Sequence, residues 1–240
     1  MNSLEKDYKK LYLLQNKFLN WWSTLDLPFY LTGGTALHRF YLNDRYSEDL
    51  DFFINNNPLY AKYIAFVKRN IPNNFKINIE RALFTEDFTR FFVVENEVYL
   101  KIEMVNDTNN PNHLPINYKF GLIDNLSNIL ANKLTAIIGR DEPKDIFDIV
   151  HIALNYSFNW IDIFNLAKTK AAINEIDVEQ RLCSFPVEWI KPIDWVKKPV
   201  DLDLFQNMLR QIADDFLLGR NNSICSTNIS INNATPTLCK

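Results

Sequence analysis

The stretch 29–53 constrains what this chain can fold into more than any other. It reads Phe29-Tyr30-Leu31-Thr32-Gly33-Gly34-Thr35-Ala36-Leu37, then Arg45-Tyr46-Ser47-Glu48-Asp49-Leu50-Asp51-Phe52-Phe53. Residues 29–32 are an apolar, β-prone run that stops at two glycines, where a backbone needs positive φ or close approach to another group. Over 35–42, Ala36, Leu37, Phe40 and Tyr41 recur at helical spacing, which puts the glycines at a helix N-terminus. The order is therefore strand, tight turn, short helix, loop, strand. Exposed N–H groups and the positive end of the helix dipole make such a turn an anion site. In the second strand, residues two apart share a face, so Asp49 and Asp51 point one way and Leu50 and Phe52 the other. Two carboxylates about 7 Å apart on one strand face repel each other and resist burial, and a divalent cation removes that conflict. The pattern suits a triphosphate at the glycine turn with Mg²⁺ ions anchored by the aspartates.

The flanking segments place this unit in a sheet. Residues 4–25 carry Leu11, Leu14, Phe18 and Trp22 at helical intervals, and 59–71 predict a second helix closed by Pro72. From 75 to 106 the rhythm becomes period two: 75–79, 88–95 and 98–105 alternate, with turns at 86–87 and 96–97. Three adjacent antiparallel strands follow from that pattern. Glu103 stands out as an acid in the middle of an apolar strand, which burial disfavours unless something pairs with it. A salt bridge from Glu103 to Lys101 or Arg90 is one resolution; a bound cation is the other.

Residues 107–119 are polar and rich in Asn and Pro, the best candidate for a boundary, and the chain beyond reads as almost wholly helical. A helix over 125–139 carries Lys133, seven residues before Arg140 and on the same face. Glu142-Pro143 starts another, in which Asp145 and Asp148 share a face. Helices are also expected at 160–172, 177–185 and 202–218, with an irregular connector at 186–199. Residues 221–240 are rich in Asn, Ser and Thr with little periodicity, which predicts a poorly ordered tail.

Composition narrows the class. A chain of 240 residues buries about 70% or more of its unfolded surface, enough for one large domain or two smaller lobes. No run of about 20 apolar residues and no signal-peptide pattern is present, so a cytoplasmic protein without a membrane partner is expected. Cys183, Cys225 and Cys239 form no CxxC pair, and His38, His113 and His151 have no metal-ligand spacing. A net charge of −3 argues against a globally basic nucleic-acid binder and leaves a local patch as the only route to one.

The Gly-Gly and Asp-x-Asp elements in this order resemble the nucleotidyltransferase-fold superfamily, that of DNA polymerase β and the aminoglycoside nucleotidyltransferases. More narrowly, Gly33-Gly34-Thr35-Ala36-Leu37 with Arg45-x-Ser47-x-Asp49-Leu50-Asp51-Phe52 resembles the AbiEii/AbiGii toxins of type IV toxin–antitoxin and abortive-infection systems. The block from Lys133-Leu134-x-Ala136 through Arg140 to Lys144-Asp145-Ile146-Phe147-Asp148 is similar to the second half of that signature, with Lys144 and Ile149 where the family favours Arg and Leu. The resemblance spans 29–152. It implies an α/β (α+β) nucleotidyltransferase fold. The change from period-two to helical patterning near 120 divides it into a mixed sheet in an N-terminal lobe over 1–120 and a helical lobe over 121–220 closing the cleft, with the tail over 221–240. The resemblance also implies a Mg²⁺-dependent nucleotidyltransferase that moves NMP from a nucleoside triphosphate to an acceptor. In it Asp49, Asp51 and Glu103 would hold two ions, and Gly33, Gly34, Thr35 and Ser47 would take phosphates. Arg45 and Lys133 would offset leaving-group charge. Arg140, Asp145 and Asp148 are either ligand residues or an interhelical salt-bridge network. The implied partners are RNA, tRNA included, and a cognate antitoxin, with Lys133, Arg140, Lys144, Lys62, Lys68 and Arg69 as the cations on offer to RNA. A small aminoglycoside-like acceptor and a non-catalytic nucleotide-binding module are the alternatives.

Overall fold

The computed structural model describes residues 8–108, 114–190 and 195–238. In it the apolar run before the glycines becomes strand β1 (Tyr30–Thr32), and helix α2 (Gly33–Phe40) starts on the first glycine. Strand β2 (Leu50–Asn55) returns antiparallel to β1, with Leu31 opposite Phe52 and Thr32 opposite Asp51. Its alternation buries Leu50, Phe52 and Ile54 on one face. Helix α1 (Tyr8–Trp22) covers that face, setting Phe18 and Trp22 against Phe52 at ring separations of 6.2 and 4.3 Å. The expected first turn of this helix, 4–7, lies outside the described residues.

After α3 (Tyr60–Asn70), the period-two segment forms β3 (Lys76–Phe84), β4 (Phe88–Glu95) and β5 (Val98–Asp107), paired antiparallel in that order. Strand β5 then lies parallel to β2, with Phe52 opposite Met104 and Asp51 opposite Glu103. Part of the expected polar loop forms strand β6 (Ile116–Tyr118), and the residues just past the loop form β7 (Gly121–Ile123), which pairs antiparallel to β6 and parallel to β1. At three residues each they contain a single alternation, too little for a period to register, and 109–113 of that loop lie outside the described residues. Among the described residues the mixed sheet runs β3-β4-β5-β2-β1-β7-β6.

The chain divides into two compact units, Met1–Arg39 with Tyr46–Asp124, and Phe40–Arg45 with Asn125–Lys240. The boundary thus falls at Asp124 rather than 120, and the six residues Phe40–Arg45 group with the later helices. In the second unit, α4 (Leu126–Gly139), α5 (Pro143–Asn155), α6 (Trp160–Lys168), α7 (Glu175–Ser184) and α8 (Leu202–Leu217) bury Leu130, Phe147, Val150, Trp160, Leu182 and Leu209. Asn125, Asn159, Asn174 and Asp201 each cap a helix N-terminus by accepting from a backbone N–H.

The expected poorly ordered tail is a correction. Residues 221–238 run along the end of α5, with Ile231 and Asn222 buried. Asn222 Nδ2 donates to the carbonyls of Ala153 and Tyr156 at 2.6 and 2.8 Å, Ser226 Oγ to Leu154 at 2.8 Å, and Thr227 Oγ1 to Asn155 at 2.6 Å. The last carbonyls of a helix lack intrahelical donors. The polar composition that reads as disorder supplies those donors here.

Candidate active site

The first unit gathers the glycine turn, the loop before β2 and both acid-bearing strands. Across the sheet, Thr32, Asp51, Glu103 and Arg90 stand opposite one another on β1, β2, β5 and β4, one row on one face. Neighbouring strands are about 4.8 Å apart, so Asp51 and Glu103 are held side by side. Asp49 falls just outside β2, where its carbonyl accepts from Thr35 Oγ1, which also lies 2.9 Å from Ser47 Oγ. Gln15, fully buried on α1, donates to the carbonyls of Ser47 and Glu48 at 3.1 and 3.0 Å. The loop that aims Asp49 is therefore tied down from α2 and from α1.

Gly33 has φ +71°, and a Cβ there would sit 2.5 Å from Asp51 Oδ2. The turn needs glycine on both counts: the left-handed conformation and the carboxylate pressed against its backbone. Gly33→Ala is expected to cost about 1–3 kcal/mol and to push the Asp51 carboxylate out of the row. A urea midpoint equal to that of wild type would contradict this.

Cations already meet these acids. Lys101 Nζ lies 2.8 Å from Asp49 Oδ2 and 3.4 Å from Glu103 Oε1, and Arg90 Nε donates to the same Glu103 oxygen at 2.7 Å. The salt bridge expected as one resolution for Glu103 is thus formed, with both named partners. Burial alone would lower the Lys101 ammonium, but Asp49, with Glu103 and Asp51 behind it, outweighs that and holds its pKa above the usual value. Among the described residues no three acid, His or Cys side chains close into a ready metal cage. The donor chemistry fits Mg²⁺ nonetheless: Asp49, Asp51 and Glu103 offer only hard oxygens, and Lys101 stands as a positive charge between two of them.

The second unit holds the remaining predicted residues in a compact ion network. Arg45, 2% exposed, gives Asp148 a two-pronged pair, Nε to Oδ1 at 2.6 Å and Nη2 to Oδ2 at 2.7 Å. Lys133 on α4 reaches both acids of α5, Asp145 at 2.7 Å and Asp148 at 2.6 Å, and Arg140 Nε donates to Asp145 at 2.7 Å. Burial would raise the Asp145 carboxyl, but Lys133 and Arg140 overcome it and hold the pKa below the ordinary value. Burial would likewise lower Lys133, and Asp148 and Asp145 together hold it above its ordinary value. Of the two readings for Arg140, Asp145 and Asp148, these contacts are those of the salt-bridge network. Lys133, 7% exposed and set between two carboxylates, is not a surface charge for RNA.

The family model for the nucleotidyl transferase AbiEii toxins of type IV toxin–antitoxin systems matches residues 18–224. The chain belongs to this family. It is accordingly a nucleotidyltransferase of the toxin class, a membership that implies a nucleoside triphosphate substrate and an antitoxin partner. Solved structures share the fold. JHP933 from Helicobacter pylori superposes with a TM-score of 0.62 at 22% identity, covering 90% of this chain and 94% of its own. A putative nucleotidyltransferase from H. pylori gives 0.63 at 22%, covering 90% and 96%. MenT4, a nucleotidyltransferase toxin from Mycobacterium tuberculosis, gives 0.57 at 16%, covering 89% and 85%. No curated protein matches the chain significantly.

For an AbiEii nucleotidyl transferase, sequence reasoning missed two supports of the first unit. Gln15 is one; its only signal is a polar residue on the apolar face of α1, next to Leu14. Asp124 is the other: it is 1% exposed and accepts from Thr32 Oγ1 at 2.6 Å, anchoring the first member of the row. An acid directly after the short apolar run Leu122-Ile123 is a weak signal on its own.

Proposed function

We propose that this AbiEii-family protein transfers a nucleoside monophosphate from a nucleoside triphosphate to RNA, tRNA being the favoured acceptor, with Mg²⁺ at Asp49, Asp51 and Glu103. The observation that carries the reading is the register of Asp51 with Glu103, with the Asp51 carboxylate pressed against the backbone of Gly33 in the glycine turn. Divalent ions held by Asp49, Asp51 and Glu103 would neutralise charge on the triphosphate and acidify the attacking hydroxyl. The acceptor hydroxyl gives up its proton to water as its oxygen bonds the α-phosphorus, the bond from that phosphorus to the oxygen bridging the β-phosphate breaks, and pyrophosphate leaves. The protein's share is alignment and electrostatics rather than covalent chemistry. The Gly33-Gly34-Thr35 backbone at the N-terminus of α2 offers N–H groups to phosphate oxygens, and Thr35 with Ser47 fixes the loop that presents Asp49. These substrates are cytoplasmic, and among the described residues no helix is long and apolar enough to cross a membrane.

A polymeric acceptor is favoured over a small one by the rest of the same sheet face. Beyond Glu103 it carries Phe88 and Phe92 with guanidinium groups over them, Arg90 Cζ 5.2 Å from Phe88 and Arg81 Cζ 4.3 Å from Phe92. Rings interleaved with cations suit stacked bases and their phosphates. The test is incubation with each α-labelled NTP, Mg²⁺ and either total RNA or an aminoglycoside, across a salt series. Label is expected in RNA, falling about tenfold or more between 50 and 200 mM salt because phosphate contacts release counterions. Label in the small acceptor alone, or in no RNA with any NTP, overturns the RNA reading.

A further inference from the structure

We propose that Lys101 is a built-in counter-cation of the carboxylate row, whose ammonium a divalent ion must displace, so that Lys101 sets how tightly the row binds metal. The inference rests on the metal reading above and adds to it a residue that lies outside the Gly-Gly, Asp-x-Asp and Lys133-to-Asp148 motifs. Lys101 stands two residues before Glu103 on β5, so the period of the strand puts both on the face that carries Asp51. Its Nζ bridges acids from two separate segments, Asp49 ahead of β2 and Glu103 on β5. Asp49 and Glu103 are two of the three acids assigned to the metal.

The two cations at Glu103 differ in how readily they can withdraw. Arg90 arrives from the adjacent strand with a planar guanidinium and donates at 2.7 Å, whereas Lys101 touches Glu103 at 3.4 Å through a compact charge on a flexible four-carbon stem. With the acids unligated, Lys101 relieves their mutual repulsion and keeps them gathered. When a doubly charged ion enters, the ammonium becomes a like charge at the same oxygens and must swing away. The exchange needs no backbone movement, because the strand register fixes Asp51 and Glu103 whichever cation is present.

The test is Mn²⁺ binding to the intact protein without nucleotide, followed by electron paramagnetic resonance and calorimetry for wild type, Lys101→Met and Lys101→Arg. Lys101→Met is expected to bind Mn²⁺ about tenfold or more tightly than wild type, because the competing charge is gone while all three acids remain. It should also melt lower than wild type without metal and recover on adding Mn²⁺. Lys101→Arg, which keeps the charge on a head that withdraws less readily, should bind no more tightly than wild type. A merely structural lysine predicts weaker or unchanged binding in Lys101→Met, and a lysine that serves the triphosphate predicts unchanged Mn²⁺ affinity with weaker NTP binding. Either result, with wild type binding Mn²⁺, overturns the counter-cation role and leaves the metal reading standing. No Mn²⁺ binding by wild type and Lys101→Met alike removes both.

Discussion

Asp51→Asn is expected to lower nucleotide transfer by about a thousandfold or more while the melting temperature stays within about 3 °C of wild type. The asparagine keeps the shape that fits against Gly33, where an added Cβ would sit 2.5 Å from Asp51 Oδ2. What it loses is the charge at the centre of the row, between Thr32 and Glu103. The apolar side of β2 is untouched, since Leu50 and Phe52 face the other way and stay buried. Asp49→Asn should act in the same direction: it removes the partner of Lys101 and spares the carbonyl that Thr35 holds. Transfer is read with labelled NTP and RNA, and stability by thermal melting. In cells, wild type expressed without antitoxin should arrest growth, and Asp51→Asn at equal abundance should not. Asp51→Asn with wild-type transfer, or with arrest as complete as wild type, sinks the assignment of this row as the reacting centre.

The site's first half was legible because short-range rules govern it. Two glycines after an apolar run announce a turn, and alternation fixes which way Asp49 and Asp51 face in any strand that contains them. The placement of Glu103 needed more than alternation, because alternation says which face an acid occupies but not which strand lies next to it. The parallel pairing of β5 with β2 is a long-range fact, and the family resemblance gave Glu103 only as a third acid to share ions with Asp49 and Asp51. Gln15 stayed out of reach for the same reason: its partners, the carbonyls of Ser47 and Glu48, are more than thirty residues away. The tail was misread for a different cause. Asn, Ser and Thr are common in unfolded segments and equally suited to donating to the open carbonyls of a helix end, and composition does not tell the two apart. Lys133, Asp145 and Asp148 are buried charges, and buried charge is rare. Their spacing alone left a ligand role and a salt-bridge network both open, and the contacts with Arg45 and Arg140 are what the chain order hides.

Asp148→Ala is expected to destabilise the protein by about 3–5 kcal/mol, more than Gly33→Ala or Lys133→Met. Asp148 is fully buried and faces two cations at once, Arg45 through both carboxylate oxygens and Lys133 at 2.6 Å. Removing it takes the two-pronged partner from Arg45, itself 2% exposed, and leaves Lys133 with one of these two acids. Lys133→Met should cost less, about 1–3 kcal/mol, because Asp148 keeps Arg45 and Asp145 keeps Arg140. The network also fixes a pH window. Asp145 is held below its ordinary carboxyl value of 3.8, so its contribution is complete above that pH and is lost as pH falls through the lower folded value. Lys133 is held above its ordinary 10.5, so its contribution is complete below that pH and is lost as pH rises through the higher folded value. Between those limits the contribution is flat, and Asp145 contributes to the acid limb. Urea unfolding of wild type should therefore weaken steeply below about pH 4, and Asp145→Asn, less stable at neutral pH, should lose less on the same descent. An acid limb of equal depth in wild type and Asp145→Asn would show that the carboxylates driving acid unfolding lie elsewhere.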